Sequence, residues 1–259
     1  MGTVEIRFYA ELNDLLPRSL QGGTVDVDLT GSASVKDVVE RHGVPHTEVD
    51  LILVNGESAG LDRLLGDGDR VAVYPVFEAF DVGTLTKVRS RPLRTVRFAA
   101  DVHLGRLARY LRLSGLDTSY RNDYTDSQLV ETALTEARVI LTRDRGLLKR
   151  SAVTHGYLIR ETAPCAQLQE VVERFDLTAS LVPFTRCAVC NGVVEPVEKA
   201  SVIEMLPPHT ARHYHQFWRC TQCGRVYWRG AHFRHIERLI DSCAARRPLT
   251  PPRAGSTST

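Results

Sequence analysis

Two cysteine pairs of identical spacing constrain this chain more than any other feature in it. Cys187 and Cys190 in CAVCNG, and Cys220 and Cys223 in CTQCGR, each set two thiols one turn apart, with 29 residues between the pairs. Four thiolates fill a tetrahedral zinc and leave no open position for catalysis, so the spacing predicts a structural Zn²⁺ site. A thioredoxin-like redox role uses a single C-x-x-C at a helix start and accounts for half the pattern. Paired spacing of this kind in a reducing compartment favours metal over disulfides. Cys165 and Cys243 are isolated in sequence and are expected to be buried or inert. His213 and His215 in RHYHQFWR are rival ligands, but four cysteines already complete the set.

Around the second pair the composition shifts. Residues 209–238 carry Arg212, Arg219, Arg225, Arg229, Arg234 and Arg238 against Glu237 alone, with Tyr214, Phe217, Trp218, Tyr227, Trp228 and Phe233 interleaved. Guanidinium groups pair with phosphates and exposed rings stack on splayed bases, which suits single-stranded RNA. A small zinc module also needs rings for its core, so the aromatics have two readings. The formal net charge of +2 over 259 residues identifies no partner by itself. MGTVEIRFYAEL has no basic-then-apolar leader, and no apolar run reaches the length of a membrane span. The expectation is a cytoplasmic protein with no membrane association, of two or three units.

Residues 1–80 read as one unit. Val4, Ile6 and Phe8 alternate in VEIRFYAEL, QGG turns, and Val25, Val27 and Leu29 alternate in TVDVDL, which predicts a hairpin. Ser34 with Asp37 caps a helix over VKDVVERH, stopped by Gly43. Strands DLILVNG and, after a GDGD turn, DRVAVYPVF follow. This order of elements is that of a β-grasp, ubiquitin-like fold. LLP, VNGE and LGDGDRVAVYPVF resemble the small sulfur carriers of thiamine and molybdopterin synthesis, but where those end in Gly-Gly this chain has EAFDVG and continues. A structural or protein-docking role is expected for this unit.

Residues 81–95 carry no period and read as a linker. Beyond them, strands and helices alternate over 96–176, which implies a parallel sheet with helices on both faces. TVRFAAD ends in Asp101. The following helix sets Leu104, Leu107, Ala108 and Leu111 on one face and Arg106, Arg109 and Arg112 on the other, and Gly115 stops it. Thr125 and Gln128 form a capping box for a helix with Leu129, Ala133, Leu134 and Ala137 on its apolar side. RVIL leads to Asp144 between Arg143 and Arg145, and Pro164 opens the last helix. From Lys87 to Arg112 eight basic residues surround Asp101 alone. Asp101, Asp126 and Asp144 fall at strand ends or in a helix's first turn, which gather on one edge of a parallel sheet. Three converging carboxylates need a hard cation such as Mg²⁺ or Mn²⁺ between them. As separate loop acids, each is satisfied by a neighbouring arginine or a helix dipole.

D-x-x-L-x-x-x-A at 126–133 followed by VILTRD resembles the second half of PIN-domain nucleases. AADVHLGRLARYLRLSGLDTSY and the cysteine pairs are more similar to the Mut-seven C-terminal RNase family, a PIN-like domain with a zinc ribbon that often follows a ubiquitin-like domain. The resemblance covers nearly the whole chain except the tail. It implies an α/β fold: a PIN-like parallel sheet flanked by helices, preceded by a β-grasp ubiquitin-like domain and followed by a zinc ribbon. The expected boundaries are 1–80 ubiquitin-like, 81–95 linker, 96–182 PIN-like RNase, 183–243 zinc ribbon and 244–259 disordered tail. The resemblance further implies metal-dependent hydrolysis of RNA, with Asp101, Asp126 and Asp144 holding Mg²⁺ or Mn²⁺. The fourth acid of the pattern is Asp117 or Asp123, with Asp123 preferred because it adjoins Asp126. Arg106, Arg109, Arg143 and Arg145 are candidates for substrate phosphates. The alternative is a catalytically inactive RNA-binding adaptor that keeps the fold and the basic surface.

Overall fold

The computed structural model describes residues 2–29, 31–75 and 96–230, together with positions 233, 237, 238 and 242. The expected linker and tail and Cys243 lie outside the described residues.

Strands β1 (Gly2–Phe8), β2 (Thr24–Leu29), β3 (Val49–Val54), β4 (Glu57–Ser58) and β5 (Arg70–Pro75) form a mixed sheet in the order β2-β1-β5-β3-β4. β1 pairs antiparallel with β2 and parallel with β5, as in a β-grasp. Alternation along β1 buries Val4, Ile6 and Phe8 and leaves Glu5 and Arg7 in water. Helix α1 (Val35–Arg41) carries the expected capping box, Ser34 with Asp37, and buries Val35, Val38 and Val39. The hairpin connection is longer than expected. Ala10 turns at φ 47°, and a 3₁₀ turn over Ala10–Leu15 buries Leu12 and Leu15.

The second unit is a four-stranded parallel sheet, β6 (Phe98–Ala100), β7 (Thr118–Ser119), β8 (Val139–Thr142) and β9 (Gly156–Leu158), in the order β7-β6-β8-β9. Helices α2 (Gly105–Leu113) and α5 (Pro164–Arg174) cover one face, over Phe98, Ala100, Leu141 and Tyr157. On the other face α3 (Asp126–Thr135) packs Leu129, Val130 and Ala133 against Ala99 and Ile140. That cluster continues without a break into the core of the β-grasp unit. Polar contacts follow it across the junction. The Leu158 amide donates to Glu48 Oε1 at 2.7 Å, His46 Nε2 meets Val153 O at 2.8 Å, and Arg145 donates to Leu15 O at 2.9 Å, beside the short helix α4 (Arg145–Leu148).

Three side chains depart from the expected faces. Leu134 is 48% exposed, because the apolar stripe of α3 is narrower than its pattern suggests, and Ala137 is exposed at φ 50°, past the helix end at Thr135. Arg112 is not on a solvated face. It is 4% exposed, because a third unit packs over the C-terminal end of α2. Gly115 ends α2 at φ 91°, where a side chain would collide with Val182 O at the start of that third unit. The third unit holds an antiparallel sheet, β10 (Val194–Val197), β11 (Phe217–Cys220) and β12 (Val226–Trp228), with helix α6 (Pro208–His213). This arrangement is compatible with a zinc ribbon.

Candidate functional site

The chain leaves β6 for β7 on one side and returns to β8 on the other, so the sheet's order reverses between β6 and β8. Ligands of open α/β sheets bind beyond the strand carboxyl ends at such a reversal. Asp101 follows β6 directly and Asp144 lies two residues past β8. Asp101 is buried. Its Oδ1 accepts the Val102 amide at 2.6 Å, and its Oδ2 accepts the Thr142 hydroxyl at 2.6 Å. The same hydroxyl accepts the Asp144 amide at 3.0 Å. Asp144 caps α4 through Oδ1, which takes the Gly146 amide at 2.7 Å, and its carboxylate is exposed. One threonine at the end of β8 thus ties the two strand-end acids together. Thr142 is not among the expected site residues, although the spacing T-x-D at a strand end signals it.

The other aspartates are held differently. Asp126, in the first turn of α3, pairs with Arg150 at 2.7 Å. Asp123 is gripped by both Nε and Nη2 of Arg121 at 2.9 Å, and that guanidinium holds its carboxyl below the usual range. Asp101 and Asp144 are therefore linked through Thr142, while Asp126 and Asp123 are each engaged by an arginine. Among the described residues the cysteine quartet is the group of three or more ligand-bearing side chains that converges within 4.8 Å. Asp117, the other acid considered, lies at the opposite end of the strands, where its carbonyl accepts the Phe98 amide. Its carboxylate takes Arg138 at 2.6 Å, Asn191 at 2.8 Å and Arg186 at 3.2 Å. Burial alone would raise its pKa, but these donors outweigh it and hold the acid below its ordinary value. Of the arginines, Arg106 and Arg109 are exposed one turn apart on α2 and Arg143 is exposed beside Asp144, whereas Arg145 is engaged with Leu15 across the domain junction.

The four cysteines meet as two knuckles. Cys187 Sγ lies 3.6 Å from Cys223 Sγ, and Cys190 Sγ lies 3.4 Å from Cys220 Sγ. Zinc–sulfur bonds of about 2.3 Å in a tetrahedron set sulfurs about 3.8 Å apart, so the donor set and its spacing fit the ion. Burial opposes ionisation of Cys187, but the Tyr227 hydroxyl at 3.0 Å and backbone amides outweigh it and bring the thiol down to about 6. Burial and the neighbouring thiols push Cys190 up to about 12 and raise Cys223. Four thiols in this space reach the thiolate form together only around a cation. His213 and His215 are exposed on the segment between the pairs, and the converging quartet is all cysteine.

Behind the first knuckle, buried Arg112 donates to Val189 O at 2.7 Å, Thr118 O at 2.9 Å and Tyr120 O at 3.3 Å. Asn191, at φ 69°, accepts the Thr118 amide at 3.0 Å and donates to Asp117. The knuckle is thereby fixed to α2 and to the edge strand β7. Neither residue stood out in the sequence as a site residue.

Comparison with known families gives two matches. The Mut7-C RNAse domain model matches residues 96–240, which is 145 of 259 residues, and the Mut7-C ubiquitin model matches residues 1–81. The chain belongs to the Mut7-C RNase family. Its Mut7-C domain thus spans the parallel sheet, the strand-end acids and the cysteine quartet, and the family supports a nuclease-like function in general. The quartet is able to bind a metal such as zinc. No curated protein matches the chain. Two crystal structures of a Haloferax volcanii protein, SAMP1 or small archaeal modifier protein 1, are similar to its Mut7-C ubiquitin segment. They are 27% and 26% identical, cover 30% of this chain and 100% of their own, and have TM-scores of 0.25. Among the described residues no helix is long and apolar enough to cross a membrane.

Proposed function

We propose that this protein is a metal-dependent ribonuclease that hydrolyses RNA phosphodiester bonds at the β6/β8 strand ends. The observation that carries the reading is the hydroxyl of Thr142, which joins Asp101 and Asp144 at the reversal of strand order. Carboxylate oxygens suit hard cations, and Asp144 uses one oxygen on the Gly146 amide while its carboxylate faces water. Asp101 and Asp144 would hold Mg²⁺ or Mn²⁺, with Asp126 joining once its pairing to Arg150 is exchanged. Bound there, such an ion supplies an acidified water and offsets charge on the scissile phosphate. Arg106 and Arg143 bind backbone phosphates on either side, and Arg109 continues the basic ridge along α2. The reading assigns residues 96–182 to catalysis, 183–243 to substrate grip around a structural Zn²⁺, and 1–80 to a ubiquitin-like unit that buttresses the sheet and offers its remaining surface to a protein partner.

A second reading, a catalytically silent RNA-binding adaptor, is favoured by one observation: Asp126 and Asp123 are each paired to an arginine rather than to the other acids. One experiment separates the two. Purified protein and an Asp144→Asn variant are incubated with labelled single-stranded and structured RNAs in Mn²⁺, Mg²⁺ or EDTA. The ribonuclease reading expects cleavage that EDTA and the substitution each abolish. Undiminished cleavage by the variant sinks the assigned site, and tight, salt-sensitive binding without cleavage establishes the adaptor.

A further inference from the structure

Between α2 and the zinc module lies a cavity of about 490 Å³ that the catalytic reading does not use. Binding sites for small ligands commonly enclose roughly 300 to 1,000 Å³. Phe184, Tyr214, Trp228 and Phe233 line it with rings, and Arg109 and Arg225 line it with charge. Phe217 fills the core of the module at 2% exposure, whereas Tyr214 and Trp228 are only partly buried. The Trp228 ring has room because Gly230 is there, with the Tyr214 hydroxyl at ordinary contact distance. A side chain at that position would come within 3.0 Å of Trp228 Nε1 and 3.7 Å of the Tyr214 hydroxyl. Phe184 sits at φ 66°, a left-handed conformation that costs free energy for a residue other than glycine, and its ring stacks on Phe233 with centroids 3.5 Å apart. Such outliers collect at ligand sites, where the surroundings enforce them.

The route to the cavity is basic. Arg106 and Arg109 share one face of α2, and α2 advances about 1.5 Å per residue, so Gly105 and Leu113 are about 12 Å apart along its axis. That distance separates the end of the helix beside Asp101 from the end packed against the knuckle. Rings that stack with any base, reached along cationic side chains that meet phosphates, are the chemistry by which single-stranded nucleic acid is held. We infer that this cavity is a nucleobase subsite, which takes one splayed base of a single-stranded RNA whose backbone tracks Arg106 and Arg109 from the strand-end aspartates. The inference rests on the ribonuclease reading, and it makes the zinc module part of the substrate path.

The test uses the zinc-loaded full chain carrying Asp144→Asn, without added Mg²⁺ or Mn²⁺, and a short single-stranded RNA containing 5-iodouridine. Photo-crosslinked residues are identified by mass spectrometry. Affinity is then measured for Tyr214→Ala, which removes a ring, and for Ala188→Leu, which keeps every ring and fills the cavity. The expected result is a crosslink to Trp228, Tyr214 or Phe184, and an affinity loss of about 10-fold in each variant with zinc content unchanged. Crosslinks confined to residues outside the cavity, with both variants within about 2-fold of the parent, overturn the subsite. Cleavage by the unsubstituted chain is scored separately. A cavity crosslink without any cleavage keeps the subsite and removes the nuclease reading, cleavage without the crosslink does the reverse, and absence of RNA binding removes both.

Discussion

Glu48 is the side chain on which the junction between the ubiquitin-like unit and the parallel sheet can be tested most directly. It is 1% exposed, receives the Leu158 amide of β9 on Oε1 at 2.7 Å, and meets Arg160 on Oε2 at 3.4 Å. Glu48→Ala leaves the Leu158 N–H buried without that acceptor, which costs about 2 kcal/mol. Lost packing of the side-chain methylene adds about 0.8 kcal/mol. Arg160 keeps its bond to the Tyr157 hydroxyl at 3.0 Å and 28% of its side-chain surface in water. Its loss of a partner therefore adds little, under about 1 kcal/mol. The sum is about 3 kcal/mol, or about 6 to 12 °C in Tm for a chain of this size. Glu48→Gln retains an acceptor for Leu158 and forfeits only the charge, about 1 kcal/mol. Because the apolar cluster runs through both units, calorimetry should show them melting in one transition, with hydrogen exchange at the Leu158 amide accelerated in Glu48→Ala. A Tm within about 2 °C of the parent, or separate transitions for the two units in the parent, would refute the shared core.

Four further outcomes are expected. Arg112→Ala strips donors from the Val189, Thr118 and Tyr120 carbonyls, so we expect about 3 kcal/mol of destabilisation and faster zinc release to a chelator, read by a colorimetric zinc dye. Asp117 has its folded pKa lowered, so its contribution to stability is full above the unfolded value and disappears as pH falls through the folded one. Denaturation at stepped pH should therefore show the stability gap between the parent and Asp117→Asn closing below about pH 4. Removing zinc should unfold the third unit, and since the two tryptophans of the chain, Trp218 and Trp228, both lie in it, their fluorescence should change while far-UV signal from the other two units persists. Thr142→Val deletes the hydroxyl shared by Asp101 and Asp144, so RNA cleavage should fall by about 10-fold or more with stability reduced by only about 1 to 2 kcal/mol. Unchanged cleavage would show that the acids do not depend on that hydroxyl.

What was legible in the sequence follows from the range of the forces involved. Caps are local, and both capping boxes, Ser34 with Asp37 and Thr125 with Gln128, are where the pattern puts them. The alternation in β1 and the four cysteines are equally local in logic: a period of two for the pleat, a fixed ligand count for the metal. The misplacements are tertiary. Arg112 reads as solvated because helical periodicity describes one helix against one core, and it cannot see that Val189, 77 residues on, brings carbonyls to that face. Leu134 reads as buried for the converse reason. In sequence, only its place beside Asp126 sets Asp123 ahead of Asp117. The structure separates them because Asp117 adjoins the starts of the parallel strands, while Asp101 and Asp144 adjoin their ends.

The same contrast explains why the three units belong to one chain. A parallel sheet must be covered on both faces, and here α2 and α5 supply one cover while α3 and the ubiquitin-like core share the other. The ubiquitin-like unit meets α4 and β9, at Arg145 beside Asp144 and at Leu158, and the third unit meets the far end of α2 at Arg112. The third unit adjoins the basic ridge of α2 through a cavity that includes Arg109 itself. In the ribonuclease proposed above, an RNA strand reaching the aspartates along that ridge would meet the third unit next, and the ubiquitin-like unit would contribute through the sheet it supports.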